Sequence, residues 1–122
     1  MSKILVVDDA TLMRTMIKNA LNNDSKDHVI LEARDGDEAV NLYKATNPDV
    51  VTMDITMDIK NGVDAAKEIM AEDKDARIIM VTALGQEEYL KECISLGVKD
   101  FIVKPFSKER VLSAIKKVLS MN

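Results

Sequence analysis

The sequence predicts an α/β fold: a doubly wound three-layer sandwich around a five-stranded parallel sheet. Three observations predict it. Five short runs, at residues 4–7, 29–31, 50–53, 78–81 and 101–103, are rich in strand-forming residues. Most are apolar at every position, as strands buried on both faces are. Longer amphipathic segments separate the runs, and parallel strands need such right-handed crossovers.

The connecting segments read as helices. Met13, Met16, Ile17, Ala20 and Leu21 recur at helical spacing, which predicts a core-facing stripe. Leu90, Cys93, Ile94 and Gly97 follow the same spacing, as do Val111, Leu112, Ile115, Val118 and Leu119. Asp35, Asn61 and Ser107 stand where helix N-caps are expected. Gly97 suits a left-handed helix stop, and Asn47-Pro48-Asp49 a turn into the third strand. There is no internal repeat, linker or low-complexity segment, so residues 1–122 are expected to form one domain without an output domain.

Composition narrows the function. A net charge of −4 argues against non-specific binding to nucleic acid or an anionic membrane. The first apolar run meets two acids after four residues, too short for a signal peptide, and no stretch approaches the ~20 apolar residues of a membrane span. The lone cysteine, Cys93, permits no internal disulfide. The expectation is a cytoplasmic protein. Cys93 reads as a small buried hydrophobe. His28 reads as a surface or turn residue, and Glu87, Glu88, Lys116 and Lys117 as solvated helix faces.

The residues after each strand carry the chemistry. Asp8 and Asp9 follow the first, Asp54 the third, Thr82 and Ala83 close the fourth, and Lys104 and Pro105 the fifth. In a parallel sheet these ends share one edge, where open α/β sheets bind ligands. Each acid alone could merely cap a helix. Together, three carboxylates would repel one another unless Lys104 or a hard divalent cation intervened. Magnesium at such a site would neutralise an incoming phosphoryl group and leave one carboxylate to attack phosphorus. Thr82 and Lys104 would bind the remaining phosphoryl oxygens.

At this point a family resemblance emerges. Ile4-Leu5-Val6-Val7-Asp8-Asp9, Val51-Thr52-Met53-Asp54-Ile55-Thr56-Met57 with Gly62, Thr82-Ala83 and Asp100-Phe101-Ile102-Val103-Lys104-Pro105-Phe106 resemble response-regulator receiver domains over essentially the whole chain. The segments around Asp54 and Phe101 are most similar to chemotaxis regulators of the CheY type. The resemblance implies strand order 2-1-3-4-5, with Asp54 as phosphoacceptor, Asp9 on magnesium directly, Asp8 through a water, and the Thr56 main-chain carbonyl as a further metal ligand. It implies Thr82 and Lys104 as the phosphoryl-binding pair, Thr82 and Phe101 as switch residues, and a cis Lys104-Pro105 bond. Thr56 and Leu84 take positions that tune phosphoryl lifetime in the family. Asp58 departs from the family pattern, which has Pro there, and restores a backbone N–H to the loop.

The implied partners are a sensor histidine kinase as phosphodonor and a downstream protein target, a flagellar or archaellar motor component, bound by a monomer. The implied chemistry is self-catalysed phosphorylation from phosphohistidine and self-catalysed dephosphorylation, with no metabolic substrate. The alternatives are an intermediate phosphorelay carrier and a receiver that binds proteins without phosphorylation. A flavodoxin-like cofactor binder fits less well, because its phosphate loop would not open on two acids. A dehalogenase-type phosphatase would carry a second acid where Thr56 stands.

Overall fold

The computed structural model describes residues 2–24, 27–57 and 59–121. Five strands alternate with five helices: β1 (Lys3–Val7), α1 (Thr11–Asp24), β2 (Val29–Ala33), α2 (Gly36–Thr46), β3 (Val50–Asp54), α3 (Gly62–Glu72), β4 (Ile78–Thr82), α4 (Glu87–Leu96), β5 (Asp100–Val103) and α5 (Lys108–Leu119). All pairings are parallel, in the order β2-β1-β3-β4-β5. Chain order reverses between β1 and β3, which opens a crevice at their carboxyl ends. Among the described residues no helix is long and apolar enough to cross a membrane.

Side-chain alternation divides the interior in two. Leu5, Val7, Val51, Met53, Ile78 and Met80 face one layer, with α2, α3 and Cys93 of α4. Ile4, Val6, Val50, Ile79, Val81 and Ile102 face the other, with Ile17, Leu21 and Ile115 from α1 and α5. Strands β3 and β4 are buried at every position, as their largely apolar runs predict. Both end one residue later than the apolar run, on Asp54 and Thr82, because the ladder continues through a polar residue that hydropathy does not register.

The caps lie where expected. Asp35, Asn61 and Ser107 accept hydrogen bonds from Glu38, Asp64 and Arg110 N–H groups, at 2.9, 2.9 and 3.1 Å. Gly97 closes α4 at φ 97°, with Val98 N–H reaching back to Cys93 O. Asn47 ends α2 at φ 48°. Two apolar assignments need correction. Met16 is 40% exposed and Ile94 63% exposed. In α1 the stripe rotates so that Arg14 is buried beside Ile17, Ala20 and Leu21. The guanidinium finds hydrogen-bond partners below it, which a methionine there would leave unsatisfied. In α4 only Cys93 is buried, since the helix covers the sheet margin with a single row.

The loop after β3 is fixed by close backbone approach. Gly62 N–H donates to Ile55 O at 2.7 Å, and a Cβ on Gly62 would lie 1.9 Å from Asp54 O. Nearby, Gly36 N–H donates to Lys60 O at 3.2 Å, joining this loop to the start of α2. Gly62→Ala should cost at least about 2 kcal/mol in urea unfolding, because backbone must shift. Gly85→Ala, at φ +92° in open space, should cost only about 1 kcal/mol. Equal costs would show that the loop yields easily.

Candidate phosphorylation site

The acids converge at the crevice. Asp54 ends β3, Asp8 and Asp9 follow β1, and one carboxylate oxygen from each lies within 4.8 Å of the others. Asp8 and Asp54 are buried, while Asp9 is exposed. Asp8 does two jobs. One oxygen accepts the Ala10 N–H at 2.9 Å and shapes the turn into α1. The other accepts from Lys104 Nζ at 3.1 Å. The same ammonium donates to Asp54 Oδ1 at 3.2 Å. Lys104 reaches both from the end of β5, where the Lys104-Pro105 bond is cis and Lys104 N–H bonds Thr82 O at 2.7 Å.

The electrostatics are lopsided. Burial first, then the Asp8 charge, push the Asp54 carboxyl from 3.8 up to about 6, and Lys104 offsets only part of that. Burial opposes the Lys104 ammonium too, but Asp54 and Asp8 outweigh it and hold it above its ordinary value. The two directions are compatible, because Lys104 faces two carboxylates while Asp54 faces two carboxylates and one ammonium. One lysine therefore leaves the cluster short of positive charge. A donor set made wholly of carboxylate oxygens fits a small, hard divalent cation.

Other residues fall around this centre. Thr82 is buried one residue beyond Val81, the register partner of Asp54, and its hydroxyl is 3.0 Å from Gln86 Oε1 rather than on the acids. Thr56 is exposed, and its hydroxyl accepts from Gln86 Nε2. Asp58 lies outside the described residues. Phe101 is half-buried against the layer holding Cys93 and Leu90, on the α4 side of the sheet. Asp100 beside it is pushed up by burial, but the Phe101 N–H, Lys117 and Arg110 outweigh this and hold it below its ordinary value. His28 sits half-buried before β2, at the opposite end of the strands from Asp54.

Two polar residues escaped the sequence reading. Arg14 donates to Asp8 O at 2.6 Å, Glu32 Oε1 at 3.0 Å and Thr11 Oγ1 at 3.2 Å, pinning the loop that carries the acids. Its position within an apolar helical stripe was the available signal. Gln86 was hidden by a bond pattern that depends on how two loops meet.

An open parallel sheet with an acid cluster and a lysine at its reversal point defines a receiver-type signalling domain. The chain belongs to the response regulator receiver domain family, whose model matches residues 4–116. It is 50% identical to the chemotaxis protein CheY of Listeria monocytogenes over 117 residues, covering 96% of this chain and 98% of that protein. It is 51% identical to the CheY of Bacillus subtilis, covering 97% of this chain and 98% of that one. A solved complex of CheX with CheY, BeF3 and magnesium from Borrelia burgdorferi superposes with a TM-score of 0.88 at 36% identity, covering 98% of this chain and 90% of that chain. These likenesses support a chemotaxis response-regulator function.

The raised Asp54 acid has a consequence for stability. Its ionised form is disfavoured in the fold, so it costs stability at neutral pH, on the order of 3 kcal/mol at most. The cost is relieved as pH falls through about 6 and is gone below the ordinary value of 3.8. Asp54→Asn should therefore stabilise the metal-free protein by about 1–3 kcal/mol near neutrality. The gain should shrink toward zero below about pH 4. Chemical unfolding in chelator at a series of pH values checks this. A gain independent of pH would place its origin outside Asp54 ionisation.

Proposed function

We propose that this chain is a chemotaxis response regulator that takes a phosphoryl group onto Asp54 and thereby changes its affinity for a protein target. The carrying observation is the Asp54 carboxylate, buried at the crevice with Lys104 on one oxygen and Asp8 and Asp9 alongside. Similarity to CheY proteins over nearly the whole chain supports the chemotaxis reading.

In the forward step an Asp54 oxygen attacks phosphorus of a phosphohistidine on a sensor kinase. The P–N bond breaks, its electron pair goes to the nitrogen that carried phosphorus, and the ring leaves as neutral imidazole with the proton its other nitrogen already held. Asp8, Asp9, Asp54 and the Thr56 carbonyl would hold magnesium, which supplies charge neutralisation for the phosphoryl oxygens. Lys104 stays paired with Asp54 and offers its ammonium to a phosphoryl oxygen. Thr82 offers its hydroxyl. In the separate hydrolytic step water attacks phosphorus, and the P–O bond to Asp54 breaks with its electron pair returning to the carboxylate. Inorganic phosphate leaves with the water's oxygen, the water's protons passing to phosphate and solvent. Phe101 follows Thr82 inward and alters the α4 side of the molecule. The reading places the protein in the cytoplasm as a monomer, with a flagellar or archaellar motor component as its target.

Incubation with acetyl phosphate and magnesium should yield a phosphoryl adduct by intact mass on wild type and Asp58→Asn, and none on Asp54→Asn. Chelation should abolish the adduct. Millimolar-scale magnesium alone should raise the melting temperature by mass action, less so in Asp9→Ala. An adduct that maps to Asp58, or forms equally in chelator, rules out this site.

A further inference from the structure

Gln86 occupies the N-cap of α4 but makes no side-chain bond to that helix. Glutamine is not a favoured residue there, and its length is used elsewhere. The carboxamide folds back over the end of β4. Its Oε1 accepts the Thr82 hydroxyl at 3.0 Å and the Ala83 N–H at 2.8 Å. Its Nε2 donates to the Thr56 hydroxyl. One planar group thus ties the end of β4 to the loop after Asp54. The Thr82 hydroxyl also lies 3.3 Å from Ala83 O, a longer contact than the one to Gln86.

The two donors that Gln86 Oε1 occupies stand on the strand end beside Asp54. Asp54 pairs in register with Val81, and Ile55 N–H bonds Val81 O at 3.2 Å. An oxygen bonded to both Thr82 Oγ1 and Ala83 N–H sits where an anionic acceptor from Asp54 would also seek donors. We infer that Gln86 is an internal competitor for the phosphoryl group: its carboxamide oxygen fills, in the resting protein, a donor pair that a phosphoryl oxygen on Asp54 must take over. This rests on Asp54 as acceptor and Thr82 as a phosphoryl donor.

Competition has a direction. A phosphoryl oxygen carries charge, and charge-assisted hydrogen bonds are about twice as strong as neutral ones. The phosphoryl group therefore wins the donors, and Gln86 is expelled. Expulsion also ends its bond to Thr56 and frees the side chain of the residue that precedes α4. Gln86 is accordingly a positioning residue that couples the state of Asp54 to the β4–α4 loop and sets how readily the active arrangement forms.

The test is beryllofluoride binding in the presence of magnesium, by calorimetry and by the amide shift of Ala83, on the full chain. Gln86→Ala empties the donor pair and should bind roughly 2- to 10-fold tighter than wild type, since the two bonds to Gln86 Oε1 no longer have to be displaced and water replaces them at a net difference of about one hydrogen bond. Gln86→Glu keeps an acceptor, adds charge, and should bind more weakly than wild type. The Ala83 amide should shift in free Gln86→Ala and converge with wild type once beryllofluoride is bound. A merely structural cap would lower stability without tightening binding, so unchanged or weaker binding by Gln86→Ala overturns the competitor. Wild type that fails to bind, or Asp54→Asn that binds equally, instead strikes the acceptor reading and the competitor with it.

Discussion

The ammonium of Lys104 is the point on which the site depends. It bonds Asp8 after β1 and Asp54 at the end of β3, while its own backbone continues β5. Three non-adjacent stretches of chain are therefore tied by one charge. Without it, two buried carboxylates would face each other with no counter-charge between them, an expensive arrangement. With it, the cluster is tolerable but still acidic enough to favour a cation. The upward shift of Asp54 reflects burial first and that residual excess second. A fully neutralised pocket would be more stable and less able to recruit metal.

Holding the acids at fixed distances is the work of polar and close backbone contacts around the loops that carry them. Arg14 pins the Asp8 carbonyl from within the α1 stripe, and Glu32 answers it together with Lys18 at 3.0 Å. Gly62 lets the start of α3 press against the Asp54 carbonyl. Lys60 in the same loop pairs with Asp37 at 3.2 Å and with Glu68, bridging α2 and α3. These contacts are individually modest where exposed. Their effect is geometric, since each fixes backbone on one side of an acid whose other side belongs to a buried strand.

The sequence made the sheet legible because β3 and β4 are largely apolar and end on the polar residues Asp54 and Thr82. Parallel topology then gathers Asp8, Asp9, Asp54, Thr82 and Lys104 at one edge without any need for side-chain detail. The helix faces were less legible. Hydropathy placed Met16 and Ile94 inward, yet both are exposed, because α1 turns toward the bonds of Arg14 and α4 buries only one row. Gln86 was not legible at all. Its partners Thr56 and Thr82 lie on other elements, and no local pattern encodes that meeting.

The placement of the two tyrosines gives the protein a built-in optical division of labour. The chain has no tryptophan and only two tyrosines, so its near-ultraviolet signal comes almost entirely from them. Tyr43 is clamped in the α2 layer, its hydroxyl 2.7 Å from Asp73, where burial and then that carboxylate hold the phenol well above its ordinary titration range. Tyr89 is 37% exposed on the first turn of α4, three residues beyond Gln86. One chromophore is a fixed reference and the other rides on the element expected to move, so unlabelled protein carries both halves of a ratiometric reporter.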